Sequence, residues 1–256
     1  MALFTDGLVS SIDDLSAQDS QLLDVSTAEN IDVTQKLALA QEEIALGLDT
    51  LLTGTSYPDQ SLWLAPRAGV NRVVVTPALR LWHTYRALEM VYADAYNSQL
   101  NDRYAGKRNQ FHSMASWAYD KLARIGAGMV IDPIPKAAMP TVTALASATP
   151  LPGGTYYATV AWTNQAGEEG ASAAPNTIST ASQTLLVQPV NPPKNAVGWN
   201  AYVGVDSDSM FRQNSAPIAI AQTWTQPAPL TTTGQRAGQG QTPNFTKPVP
   251  RVLQRG

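Results

Sequence analysis

Two histidines, an acidic pair and a basic cluster are the side chains whose type and placement could do chemistry. His83 and His112 fall on two successive apolar-periodic runs and could approach each other across a hairpin. A shared metal would need further ligands, and Glu89, Asp94 and Asp120 do not stand at ligand spacing beside them. Histidines borne on helices are more often packing or surface residues. Glu168 and Glu169 are of the residue type used in acid–base catalysis, but they fall in a predicted β-turn, where solvation is the ordinary explanation. Arg103, Lys107 and Arg108 cluster beside a predicted helix–helix turn. They could contact a partner, line a channel or simply be a solvated helix start. Trp82, Tyr85, Tyr92, Tyr96, Trp117 and Tyr119 could stack nucleic-acid bases; at helical spacing such a set is far more often core or subunit contact. No Gly-rich phosphate loop, zinc motif or nucleophile elbow is present. No enzymatic activity, metal or cofactor is therefore expected.

The elements that must position these residues are helical in the first half. Thr76-Pro77 is a start signal, with Thr as N-cap and Pro at the first helical position. Leu81, Tyr85, Leu88, Tyr92, Ala95 and Tyr96 then recur at three- and four-residue steps, stacking on one face. Asn101-Asp102 and Gly106 mark a turn. Phe111, Met114, Ala115, Ala118, Leu122 and Ile125 make a second run, closed by Gly126, Gly128 and the prolines at 133 and 135. Upstream, residues 1–10 read as a loose or partner-bound lead. Asp13 or Asp14 can cap a helix carrying Leu15, Leu22, Leu23 and Val25. Asp32 caps another that runs from Val33 to about Leu52, with Leu37, Ile44, Leu48 and Leu51 on one face. Leu39, Ala45 and Leu46 widen its apolar stripe, so burial on more than one side is expected. Residues 54–75 form a long irregular connection containing Trp63 and a Val73–Val75 run, and connections of this length are more often functional or partner-contacting than passive.

After the Pro-rich linker 133–140 the pattern changes to period two. Tyr156, Ala158, Val160 and Trp162 share one face of a strand; Tyr157, Thr159, Ala161 and Thr163 share the other. Residues 185–187, 199–203, 217–220 and 223–225 read as further short strands, separated by Gly, Pro, Asn and Asp clusters. Several such strands over roughly a hundred residues predict a β-sandwich. The fold class expected is therefore a multidomain chain, α then β: a helical bundle over 1–132, a linker 133–140, a sandwich over 141–233 and an extended C-terminal arm 234–256. Pro243, Pro248 and Pro250 favour extension of that arm, which could add as a strand to a partner or remain disordered.

Charge is unevenly placed along the 256 residues. Residues 1–59 hold eleven acids and one base, residues 60–139 ten bases and five acids, and residues 140–256 six bases and four acids. An acidic arm and a basic hairpin could neutralise each other within one subunit or between neighbours in a ring. A net charge of −3 is no nucleic-acid footprint. Only 14% of residues are charged, as expected if much of the surface faces other protein, although a Ser/Thr-rich second half has the same effect. The absence of cysteine excludes disulfides and thiolate metal sites and fits assembly in a reducing cytoplasm. Neither a secretory leader nor a membrane span is expected.

The run Tyr92-x-x-Ala95-Tyr96, followed by Leu100-Asn101-Asp102-Arg103-Tyr104-x-x-Lys107, resembles helical head–tail adaptor (connector) proteins of tailed bacteriophages. The run LALAQEEIALGLDTLL of the preceding acidic helix resembles the start of the same proteins, and the likeness covers roughly residues 13–136. Gly-x-Tyr-Tyr-x-x-Val-x-Trp at 154–162, with Trp-Asn-x-Tyr-Val-Gly at 199–204, is similar to fibronectin-III-like or immunoglobulin-like modules appended to phage structural proteins. The resemblance implies a homo-oligomeric ring, expected to be a dodecamer, under the portal at the virion neck. Tail or neck proteins would sit below it and DNA would pass non-specifically through the lumen. It implies that the C-terminal segment reaches the portal, with Phe245, Val249, Arg251, Val252 and Leu253 as candidate anchors. Arg103, Lys107, Arg108 and Trp63 are the candidate subunit or partner contacts. The alternative is a phage surface or tail binding module whose sandwich recognises a host glycan or another virion protein, favoured if Tyr157, Trp199 and Trp224 expose an aromatic face.

Overall fold

The computed structural model describes residues 1–53, 69–99, 102–238 and 240–247. Trp63, Val249, Arg251, Val252 and Leu253 lie outside the described residues. Helices come first and antiparallel sheets follow, and the chain divides into two compact units. One is Gly7–Met129 with Asn244 onward; the other is Met1–Asp6 with Val130–Pro243. Each unit is thus assembled from two separated stretches, where the sequence suggested consecutive blocks. The stretch 1–10, expected as a loose or partner-bound lead, is packed on its own chain, with Leu3, Phe4, Val9 and Ser10 buried.

In the helical unit, α1 (Ile12–Gln18) starts at a capping box in which Ser11 is the N-cap and Asp14 the third residue. The expected cap, Asp13 or Asp14, is thereby moved to Ser11, whose hydroxyl accepts from the Asp14 N–H at 3.1 Å. The chain breaks at Asp19 before α2 (Leu22–Ala28). α3 (Val33–Thr53) is capped by Asp32, whose Oδ1 accepts from the N–H groups of Thr34 and Gln35. α4 (Pro77–Gln99) begins after Thr76, and α5 (Ala105–Ile125) returns antiparallel to it. Gly106, read from sequence as part of the turn, lies in the first turn of α5. Leu15, Leu22, Leu37, Ala40, Leu88, Val91, Tyr92, Phe111, Ala115 and Ala118 form one continuous core. Complete burial of a leucine or phenylalanine contributes about 1.5–3 kcal/mol, so these ridges hold the bundle.

α5 stops at Gly126, whose φ of +105° is open to glycine but strained for other residues. A Cβ there would lie 2.7 Å from the carbonyl oxygen of Thr246. That close approach belongs to a two-stranded antiparallel pair, β1 (Ala127–Met129) with β10 (Asn244–Thr246). Part of the expected C-terminal arm therefore adds as a strand to its own chain.

The β unit is a sandwich. One sheet orders β2 (Thr141–Leu145), β5 (Thr184–Gln188) and β9 (Trp224–Thr225). The other orders β4 (Asn176–Thr180), β3 (Gly154–Thr163), β6 (Gly198–Gly204) and β7 (Phe211–Arg212), with β8 (Ile218–Ala219) also on β6. Tyr156, Ala158, Val160 and Trp162 meet Leu185 and Val187 between the sheets, joined by Trp199, Ala201 and Val203. Trp162 and Trp199 stand directly opposite across β3 and β6. The other face of β3 is buried too: Thr159 donates to the Ala173 carbonyl at 2.8 Å, and Ala161 packs with Tyr202 and Met210.

Candidate functional site

α4 lies between α3 and α5 and packs on both. Trp82 on α4 touches each neighbour: its ring is 5.0 Å from that of Tyr119 on α5, and a Cβ at Gly47 on α3 would approach it to 2.7 Å. α3 and α5 each keep a side turned away from α4. Helical geometry puts Leu39, Glu42 and Leu46 on the side of α3 opposite Leu37, Ile44 and Leu48. Leu39 is 41% exposed and Leu46 72%. The expectation that these leucines broaden the buried stripe is corrected: they face outward. On α5 the side opposite Phe111, Ala118 and Leu122 carries Trp117, Asp120 and Arg124, with Trp117 51% exposed and Lys121 Nζ 5.5 Å from its ring centroid.

The basic cluster at the hairpin turn is engaged internally. Lys107 Nζ donates to Asp19 Oδ2 at 2.9 Å, and Tyr92 O–H donates to the same oxygen at 2.6 Å. Asp19 also accepts from the Gln21 N–H at 3.1 Å. Burial pushes the Asp19 carboxyl up, but the hydrogen bonds from Tyr92, Lys107 and Gln21 outweigh it, and the group titrates below the usual carboxylate value. Burial and the neighbouring carboxylate drive the Tyr92 phenol well above its ordinary value, so it stays a donor. Arg108 sits 4.4 Å from the Tyr96 ring centroid and Arg103 5.3 Å from that of Tyr104. Tyr104 O–H donates to Glu29 at 2.9 Å. Arg86 bridges Glu43 and Glu89, and Lys36 pairs with Asp94. Neutralisation between the acidic arm and the basic hairpin thus occurs in part within one chain. Of the anticipated portal anchors only Phe245 is described; it pairs with Gly128 through the backbone and its side chain is 53% exposed.

The two histidines have separate surroundings. His83 is buried, with Nε2 3.0 Å from the Leu37 carbonyl oxygen and Nδ1 without a hydrogen-bond partner. Exposed His112 sits 2.8 Å from Glu89. Among the described residues no group of three or more His, Cys, Asp or Glu could hold a metal ion. Burial lowers the His83 pKa below its ordinary 6.5, while the Leu37 contact and the charge of Asp14 oppose the shift. The unfolded chain then binds the extra proton first. Stability from neutral His83 is present above pH 6.5 and is lost as pH falls below it toward the lowered value. Urea midpoints followed between about pH 7.5 and 5.5 are expected to decline, with a shallower slope in His83→Gln.

Glu168 and Glu169 are not a solvated pair. Glu169 accepts from Tyr202 O–H, from Asn200 Nδ2 at 2.9 Å and from Gln235 Nε2 at 3.2 Å. Glu168 accepts from Asn164 at 2.9 Å and Gln241 at 2.8 Å. Buried Gln241 also donates to the Asp132 carbonyl and accepts from the Ile134 N–H, while its own carbonyl receives the Met1 amino group. These carboxylates tie the linker, the 234–243 stretch and the first residues to the sandwich. Glu169→Gln replaces one of the two acceptor oxygens with an NH2 group and removes the charge that the three donors share. It is expected to lower stability by about 1–3 kcal/mol, checked by thermal unfolding. Of the three aromatics expected to form a glycan-gripping face, Trp199 is fully buried with its indole N–H bonded to the Ala219 carbonyl at 3.2 Å, Trp224 packs partly into the core, and Tyr157 packs partly against Ala161, Tyr202 and Met210.

No family model matches the chain, and no curated protein is significantly similar to it. Among the described residues no helix is long and apolar enough to cross a membrane.

Proposed function

We propose that this chain is a virion structural protein, a ring-forming adaptor joining the portal to tail components in the neck of a tailed phage, without enzymatic activity. The observation that carries the reading is the use to which the adaptor-like motif is put. Tyr92 and Lys107 converge on Asp19, and Tyr104 on Glu29, so the motif braces the α1–α2 segment against the hairpin. That is the work of a wall element. The outward-facing leucines of α3 and the tryptophan of α5 are apolar surface that a contact between copies would cover. A lumen of acidic or neutral walls would pass DNA without holding it. The sandwich would decorate the neck or brace neighbours.

Mass measurement and negative-stain imaging of the full chain, alone and with portal rings of the same virus, test the proposal. The expected result is a closed ring seated on the portal, whether it forms alone or only on that template. A monomer in both conditions would overturn it.

A further inference from the structure

We propose that the outward face of α3, carrying Leu39, Glu42 and Leu46, docks on the outward face of α5 of a second copy, carrying Trp117, Lys121 and Arg124. This inference rests on the ring reading and names the contact that would build the ring. Three observations support it. First, the faces belong to two different helices, each packed on α4. A contact between two different surfaces is heterologous, the arrangement that propagates around a ring; a self-complementary patch gives only a pair.

Second, each face exposes what a partner would cover. Leu39 and Leu46 are seven residues apart, two turns along one stripe, and Leu46 is 72% exposed. Trp117 presents half of its surface on α5. Aromatic residues of this kind anchor interfaces when they find an apolar recess. The outward leucines, with exposed Ala38 on the same helix, would offer an indole apolar surface to cover.

Third, charge selects the unlike pairing. Glu42 lies between the two leucines and is exposed, whereas Glu43 is turned to Arg86 of its own chain. The α5 face carries Lys121 and Arg124 against one acid, Asp120. Two α3 faces brought together would oppose carboxylates, and two α5 faces would oppose cations. The α3-to-α5 contact sets opposite signs against each other.

The sequence contains no cysteine, so engineered thiols report the contact cleanly. Ala38→Cys and Ser116→Cys place exposed thiols beside the two faces without removing their anchors. Full-length chains treated with a short bis-maleimide, alone and with portal rings, are expected in at least one of these conditions to give a heterodimer when the two single variants are mixed, little product from either variant by itself, and a ladder from the double variant. Leu46→Lys, at a 72% exposed site and with circular dichroism as the control for folding, is expected to raise the self-association Kd by about tenfold or more. Rings seen by imaging without this ladder, or an unchanged Kd in Leu46→Lys, would overturn the contact and leave the ring reading standing. A ladder from a protein that ignores the portal would uphold the contact and overturn the adaptor reading. Absence of both ladder and ring would overturn both.

Discussion

Tyr92→Ala is expected to destabilise the helical unit by about 3–5 kcal/mol, the range for truncating a buried aromatic. The residue unites two functions. Its ring stacks on Phe111 at 5.6 Å and lies 6.2 Å from Tyr104, holding α4 to α5 at the hairpin end. Its hydroxyl reaches back to Asp19, where the chain breaks between α1 and α2. A domain's total stability is about 5–15 kcal/mol, so this loss is large enough to show as partial unfolding near physiological temperature. Tyr92→Phe separates the contributions: it keeps the stack and removes the hydrogen bond to a charged group, worth about 1.5–3 kcal/mol. The acid limb supplies a second signature. Asp19 titrates below its ordinary 3.8, so its stabilisation is present above that value and disappears as pH falls through the lowered one. In Tyr92→Phe the carboxyl loses a donor and acid unfolding begins at higher pH. Urea midpoints at neutral pH, with an acid titration of ellipticity, measure both effects. A Tyr92→Phe variant as stable as the parent would show that the Asp19 bond contributes nothing net.

Local signals in this chain were readable because their causes are local. Asp32 caps α3 through its own next residues, and Thr76-Pro77 opens α4, as propensity requires. The period-two run at 154–163 forms β3 for the same reason. Non-local features left no such trace. Nothing about Met1–Asp6 announces that its backbone belongs with residues 130–243, because the partners that hold it, such as Gln241 and Lys136, are more than a hundred positions away. Glu169 looked like a turn acid; Tyr202, Asn200 and Gln235 close on it only after the sheets assemble. The β4 sequence Asn-Thr-Ile-Ser-Thr carries one apolar residue, too few for alternation to show, and forms through its pairing with β3. Of the candidate site, the resemblance located Lys107 and Tyr92 in one motif, but composition could not distinguish an outward cluster from the internal pair with Asp19. Leu39 and Leu46 illustrate the same limit: a widened apolar stripe reads identically whether its second side meets its own chain or something else.

Trp199→Ala is expected to be the most damaging change in the sandwich, at about 3–5 kcal/mol. Trp199 is fully buried, stands across from Trp162 on β3 and donates its indole N–H to the Ala219 carbonyl, so it joins β6 to β3 and β8. Truncation opens a void between the sheets that the paired strands cannot close without breaking their register. Trp199→Phe fills most of the space and forfeits the hydrogen bond, so its cost is smaller. The comparison also bears on function. A tryptophan serving as a sugar platform is exposed, and its removal abolishes binding while changing stability by no more than about 0.5 kcal/mol. A core tryptophan behaves in the opposite way: unfolding shifts steeply, and ligand recognition is lost only as the fold is lost. Thermal unfolding of the full chain read by intrinsic fluorescence, alongside glycan-array binding of parent and Trp199→Phe, separates the two. A Trp199→Ala variant with unaltered stability would mean that β6 does not carry the sandwich core in the manner its packing implies.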